Sequence, residues 1–192
     1  QEPRFTEHAH EEAPWLAEGV RTILQADADF AVEIYDVLFG RVAPAEGDSW
    51  MGGNVSRILP LRSNKRQDYE HARWHLQQGL PEFLAARPDF GTIAVNRAAL
   101  GLAGDRLARV GTMEPREVVI GGERALFVVE DGMSLLEWRN SSESSGGQPG
   151  SEILGNYVQF LLECSDADFV TSIQAVMSET AAASVWARIF GI

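Results

Sequence analysis

Two distant stretches of the chain open helix-like runs with the same residues, and this repetition constrains the fold more than any other feature. Asp27-Ala28-Asp29-Phe30 leads to Ile34 and Val37, and Asp166-Ala167-Asp168-Phe169 leads to Ile173 and Val176. An Asp just ahead of a helix accepts hydrogen bonds from the free N–H groups of its first turn. Phe, Ile and Val placed four and then three residues apart fall on one helix face. Each copy follows another apolar, helix-like run, and a weaker echo begins at Pro88-Asp89-Phe90. The pattern predicts a mainly α fold of antiparallel helix pairs, a helical-repeat-like architecture that builds scaffolds and recognition surfaces.

Composition supports a packed body. With 192 residues and 45% hydrophobic content, the chain can bury a core as one domain or a few stacked repeats. Its 28 acidic and 16 basic residues leave a formal charge of −12, which argues against nucleic acid or an anionic membrane as partner. Cys164 is the single cysteine, so no disulfide framework exists, and its apolar helical setting reads as an inert thiol. No apolar stretch approaches membrane-spanning length and no signal peptide is visible, so a cytoplasmic protein is the simplest expectation. The chain begins at Gln1, as a piece of a larger protein would.

The expected organisation is a flexible start over 1–10, a helical region over 11–139, a flexible linker over 140–150 and C-terminal helices of the same domain over 151–192. Helix one is expected over 12–25 with Trp15, Leu16, Val20, Ile23 and Leu24 inward, and helix two over 29–39 with Gly40 as its cap. Residues 41–65 read as a long loop carrying the apolar patch Ile58 to Leu61. A helix over 66–78 should end at Gly79, and Pro81 should open a shorter one that Pro88 closes. Another helix is expected over 91–110. Val118 to Ile120 and Leu126 to Val129 flank Gly121-Gly122, a strong β-hairpin signal within 116–130. The last helices are expected over 151–163, 168–178 and 181–190.

Catalytic chemistry finds little support. His71 and His75 stand four apart, a spacing that can place two imidazoles on one metal, but Ala72 occupies the position where zinc proteases need Glu. No third ligand is evident, so the pair reads as a half-exposed helix face, and neither a metal nor a cofactor is assigned. His8 and His10 among acidic residues read as a solvated tail. No phosphate loop, nucleophile elbow or paired-carboxylate motif occurs, and no residue is assigned a catalytic role. The remaining concentration is basic: Arg57, Arg62, Lys65 and Arg66, followed by Tyr69. Arg clamps carboxylates and phosphates and Tyr offers an amphipathic contact, which suits docking of a partner. Ion pairs pinning the loop to acidic helices are the alternative. Trp50 and Trp74 flank this region as further anchors or as buried core.

The run Ile58 to Tyr69, followed by a helix and then Leu80 to Leu84, resembles the helical region downstream of the P-loop ATPase module in large bacterial STAND-type NTPases. Many of these are linked to anti-phage defence. The helix pair with Asp-x-Asp-Phe, Met51-Gly52-Gly53, the hairpin ending near Trp138 and the closing Trp186-Ala187-Arg188 fit the same resemblance. It implies a sensor or scaffold segment of a multidomain protein, with no ATPase residue carried over because no Walker motif is present. The leading expectation is therefore a non-enzymatic recognition segment that binds a protein partner and couples it to neighbouring domains. An α/β ligand-sensing domain with a larger sheet is the alternative, followed by a small metal-dependent hydrolase using His71 and His75.

Overall fold

The computed structural model describes residues 12–40, 64–107, 115–129 and 149–192, with side chains at 12–40, 68–102, 115–129 and 152–192. The described chain is mainly helical, with a small three-stranded sheet. We number the elements α1 (12–18), α2 (Val20–Ala26), α3 (Ala28–Gly40), α4 (Asn64–Ala86), α5 (Pro88–Leu107), β1 (Pro115–Ile120), β2 (Glu123–Val128), α6 (Pro149–Glu163), α7 (Asp166–Met177), β3 (Thr180–Ala182) and α8 (Ala183–Phe190). The expected flexible start, the body of the 41–65 loop and most of the 140–150 linker lie outside the described residues. Pro149 and Gly150, expected in the linker, belong to α6.

α5 is the hub. It packs against α3, α4, α6, α7, α8 and β3, and a helix contacted on several sides needs small or apolar residues all round. Ala94, Val95, Ala98 and Ala99 meet that need, and all four are buried. At Gly101 a Cβ would lie 2.5 Å from the Cα and N of Gly40, so the backbones of α3 and α5 meet with no room for a side chain. One buried cluster joins Ala13 and Ala17 of α1 to Tyr35 and Phe39 of α3, Leu76 and Phe83 of α4, Tyr157 of α6 and Trp186 of α8. The helices on both sides of the hairpin thus share one core.

The two DADF copies form helix starts by different caps. Asp27, in extended conformation between α2 and α3, accepts the Phe30 N–H at 3.0 Å. In the second copy Ser165 is the cap, and its hydroxyl accepts the Asp168 N–H at 3.2 Å while donating to Asp168 Oδ2 at 2.7 Å. Asp166 and Asp168 then sit in the first turn of α7, where the helix dipole favours acids. Phe30 and Phe169 both pack against the core, as their shared spacing requires.

The hairpin forms where the Gly-Gly signal places it. Gly121 and Gly122 have φ of 61° and 91°, both in the left-handed region that a two-residue type I′ turn demands. β1 and β2 are antiparallel, with Val118 opposite Ala125. A third strand, β3, pairs in parallel with β2 through residues 180–182, where helix was expected from 181. Thr-Ala-Ala-Ala has no strand signature; tertiary pairing decides its conformation. Buried Asn96 on α5 fixes it, donating to the Thr180 carbonyl at 3.1 Å and accepting the Ala182 N–H at 2.8 Å. Among the described residues the sheet stops at three short strands.

Two other expectations are corrected. α4 continues through Gly79 and Pro81 as one helix instead of two. Proline leaves the carbonyl four residues earlier without its helical donor, and that carbonyl, of Gln77, accepts from Asn156 Nδ2 of α6 at 3.0 Å. The adjacent Leu76 carbonyl accepts the buried Tyr35 hydroxyl at 2.6 Å. Neighbouring helices therefore satisfy the weakened turn. Helix one is broken at Gly19, where a turn separates α1 from α2. Its buried stripe is Ala13, Ala17, Val20 and Leu24, and Trp15, expected inward, is 76% exposed.

Candidate functional site

α4 has two unlike faces. Tyr69, Ala72, Leu76, Leu80 and Phe83 recur at three- and four-residue steps and are buried. Asp68, His71, Trp74 and Gln78 occupy the opposite, exposed side. On α1 the small buried residues Ala13 and Ala17 leave Glu18 exposed beside this face of α4. Glu18, His71 and His75 converge, and one ligand-capable atom from each lies within 4.8 Å of the others. The two imidazoles meet edge to face, with centroids 4.5 Å apart. Trp74 packs edge-on to His75 at 5.1 Å and stacks on His71 at 6.2 Å, yet remains 50% exposed. Trp15 stands one helical turn from Glu18.

Two imidazoles and a carboxylate drawn from two helices form a donor set suited to zinc-class divalent ions. The sequence shows the histidine spacing but not the third donor. Glu18 is an ordinary surface Glu by local pattern, and only the seating of α1 beside α4 brings it to the pair. Trp74, packed on both histidines, and Trp15, one turn before Glu18, are the exposed indoles of α4 and α1. Exposed indoles of this size mark contact sites more reliably than scattered aliphatic residues do.

The basic residues expected to bind a partner divide differently. Arg57 and Arg62 lie outside the described residues. Lys65 and Arg66 form part of the first turn of α4, where the helix dipole disfavours cations. Tyr69 is 2% exposed and belongs to the core, which corrects its placement on a contact surface. Its ring lies 5.9 Å from the guanidinium of buried Arg73, which also faces Phe39 at 5.5 Å. Arg73 Nε donates to the Leu38 carbonyl at 2.7 Å, near the C-terminal end of α3 where helices leave carbonyls free. Aromatic packing beneath a capping arginine accounts for the burial of Tyr69.

An open groove of about 570 Å³ lies between α3, α5 and β3, lined by Asp36, Arg97, Gly101 and Glu179 among others. Arg97 places two guanidinium nitrogens on the Glu179 carboxylate, at 2.7 and 3.4 Å, and a third 3.9 Å from Asp36. Burial pushes the Asp36 carboxyl up, against the lowering charge of Arg97. With its cation already matched by two carboxylates, the groove works as a tie between elements. Cys164 is partly buried between α6 and α7, and burial together with Asp168 and Asp166 pushes its thiol up, away from the nucleophilic thiolate.

Among the described residues, no helix is long and apolar enough to cross a membrane. Comparison with protein-family models, curated proteins and solved structures finds no match to this chain.

Proposed function

We propose that the chain is a non-enzymatic recognition segment of a larger bacterial signalling protein, and that the outer face of α1 and α4 is its contact surface. The observation that carries this reading is the pair of exposed indoles, Trp15 at 76% and Trp74 at 50%, on neighbouring helices of a well-packed body. The partner is a protein surface with apolar pockets sized for an indole, and the helical core relays the contact to adjoining segments. The STAND-type resemblance of residues 58–69 and 80–84 supplies the setting, a sensor or scaffold within a multidomain protein. Lys65 and Arg66, in the first turn of α4, are further proposed contacts, with Arg57 and Arg62 in the adjoining sequence.

A photo-crosslinking residue placed at Trp74 in native cells tests the reading. The captured protein is purified and its affinity measured for the wild-type chain and for Trp15→Ala/Trp74→Ala. Loss of affinity by about thirtyfold or more, the scale of an anchor residue worth at least about 2 kcal/mol, with an unchanged melting temperature supports the contact surface. Equal affinity for both proteins, or no crosslink, overturns it.

A further inference from the structure

We infer that Glu18, His71 and His75 form a binding site for one zinc-class divalent cation, which staples α1 to α4. His71 and His75 share one face of α4 at a four-residue step, so one ion can engage both without distorting the helix. Glu18 ends α1, and its carboxylate, with one nitrogen from each histidine, forms a triangle of donors within 4.8 Å. Around a tetrahedral zinc with bonds near 2.0–2.1 Å, ligand atoms stand roughly 3.4 Å apart. Rotation of side chains on a largely exposed face closes that difference without moving either helix.

The donor chemistry selects the ion. Two neutral imidazole nitrogens and one carboxylate oxygen favour zinc, copper or nickel over the oxygen-seeking magnesium and calcium. Three protein ligands leave a coordination position for water or for an incoming side chain. The chain's charge of −12 adds a long-range attraction for a cation. α1 is the element with most to gain. Its described residues end directly at the Gly19 turn, and helix ends fray unless further contacts tie them down. A metal bridging its last residue to α4 holds it in place and fixes Trp15 relative to Trp74. Cation binding by these three donors requires no protein partner.

Zinc titration of the purified chain by calorimetry, combined with hydrogen exchange of residues 12–18, tests the site. The expected result is one zinc per chain, abolished in His71→Ala/His75→Ala and weakened in Glu18→Gln by at least about tenfold, since even second-shell partners of metal ligands carry that much affinity. Zinc should also slow exchange across 12–18 in the wild type and not in Glu18→Gln. Excess magnesium should not compete. His8→Ala/His10→Ala should bind like the wild type. Three results would each overturn the site: no zinc binding, binding that survives loss of His71 and His75, or Glu18→Gln matching the wild type in both affinity and exchange.

Discussion

At the scale of single residues, the same residue type carries opposite consequences in different helices. Gly101 and Gly155 both interrupt helices and look alike as helix-weakening positions. An added Cβ at Gly101 would meet the Gly40 backbone at 2.5 Å, whereas nothing lies within 4 Å of the same atom at Gly155. Gly101→Ala should destabilise the fold by about 3 kcal/mol, since overpacking against backbone outweighs the gain in helix propensity of about 1 kcal/mol. Gly155→Ala should stabilise it by about 0.5–1 kcal/mol. Denaturant melts of the two variants check both signs. At the start of α5, burial pushes the Asp89 carboxyl up. Hydrogen bonds from Arg87 and from the Phe90 N–H, together with the Arg87 charge, outweigh that and hold it below its ordinary value. A depressed native value means stability present above the ordinary carboxylate range and lost as pH falls through the native value. Asp89→Asn should cost about 0.3–1 kcal/mol at pH 7, the scale of a partly exposed acid at a helix start. The gap between wild type and variant should close as pH drops below about 4, the ordinary range for Asp.

At the scale of elements, α4 shows how neighbours override local signals. Gly79 and Pro81 predict a break because helix propensity is a local quantity. The helix persists because Asn156 donates to the carbonyl that Pro81 leaves free. A double-mutant cycle isolates this coupling. Asn156→Ala should cost about 1 kcal/mol in the wild type and clearly less in a Pro81→Ala background, where the helical N–H returns to Gln77. The N-terminal turn of α4 presents the opposite case, because Lys65 and Arg66 sit where the dipole disfavours them. Lys65→Glu/Arg66→Glu should raise stability by about 0.3–1 kcal/mol while weakening partner binding, a split that a purely structural role would not produce. Helix starts and the hairpin were legible in the sequence because capping residues and Gly-Gly turns act over three or four positions. β3 was not legible, since Ala-rich residues become a strand only by pairing with β2 and Asn96. The outward turn of Trp15 follows from the break at Gly19 and the small residues Ala13 and Ala17, not from its own hydrophobicity.

At the scale of the whole molecule, one core takes residues from every described helix, and α5 is the element that the others share. In this arrangement the sides of α1 and α4 that carry Trp15 and Trp74 face solvent. Half of the candidate site was visible beforehand as the His71 and His75 pair. The other half, Glu18 and the exposed indoles, depends on which distant helices become neighbours, a property that local periodicity does not carry. The basic residues drew attention to α4 but, in Tyr69, to its buried face. The most direct measurement is amide hydrogen exchange across the chain, with and without a saturating amount of the crosslinked partner. A contact surface on α1 and α4 predicts slowed exchange concentrated in residues 12–18 and 68–78. Unchanged exchange there, with protection confined to the hairpin or to α6 to α8, would contradict it.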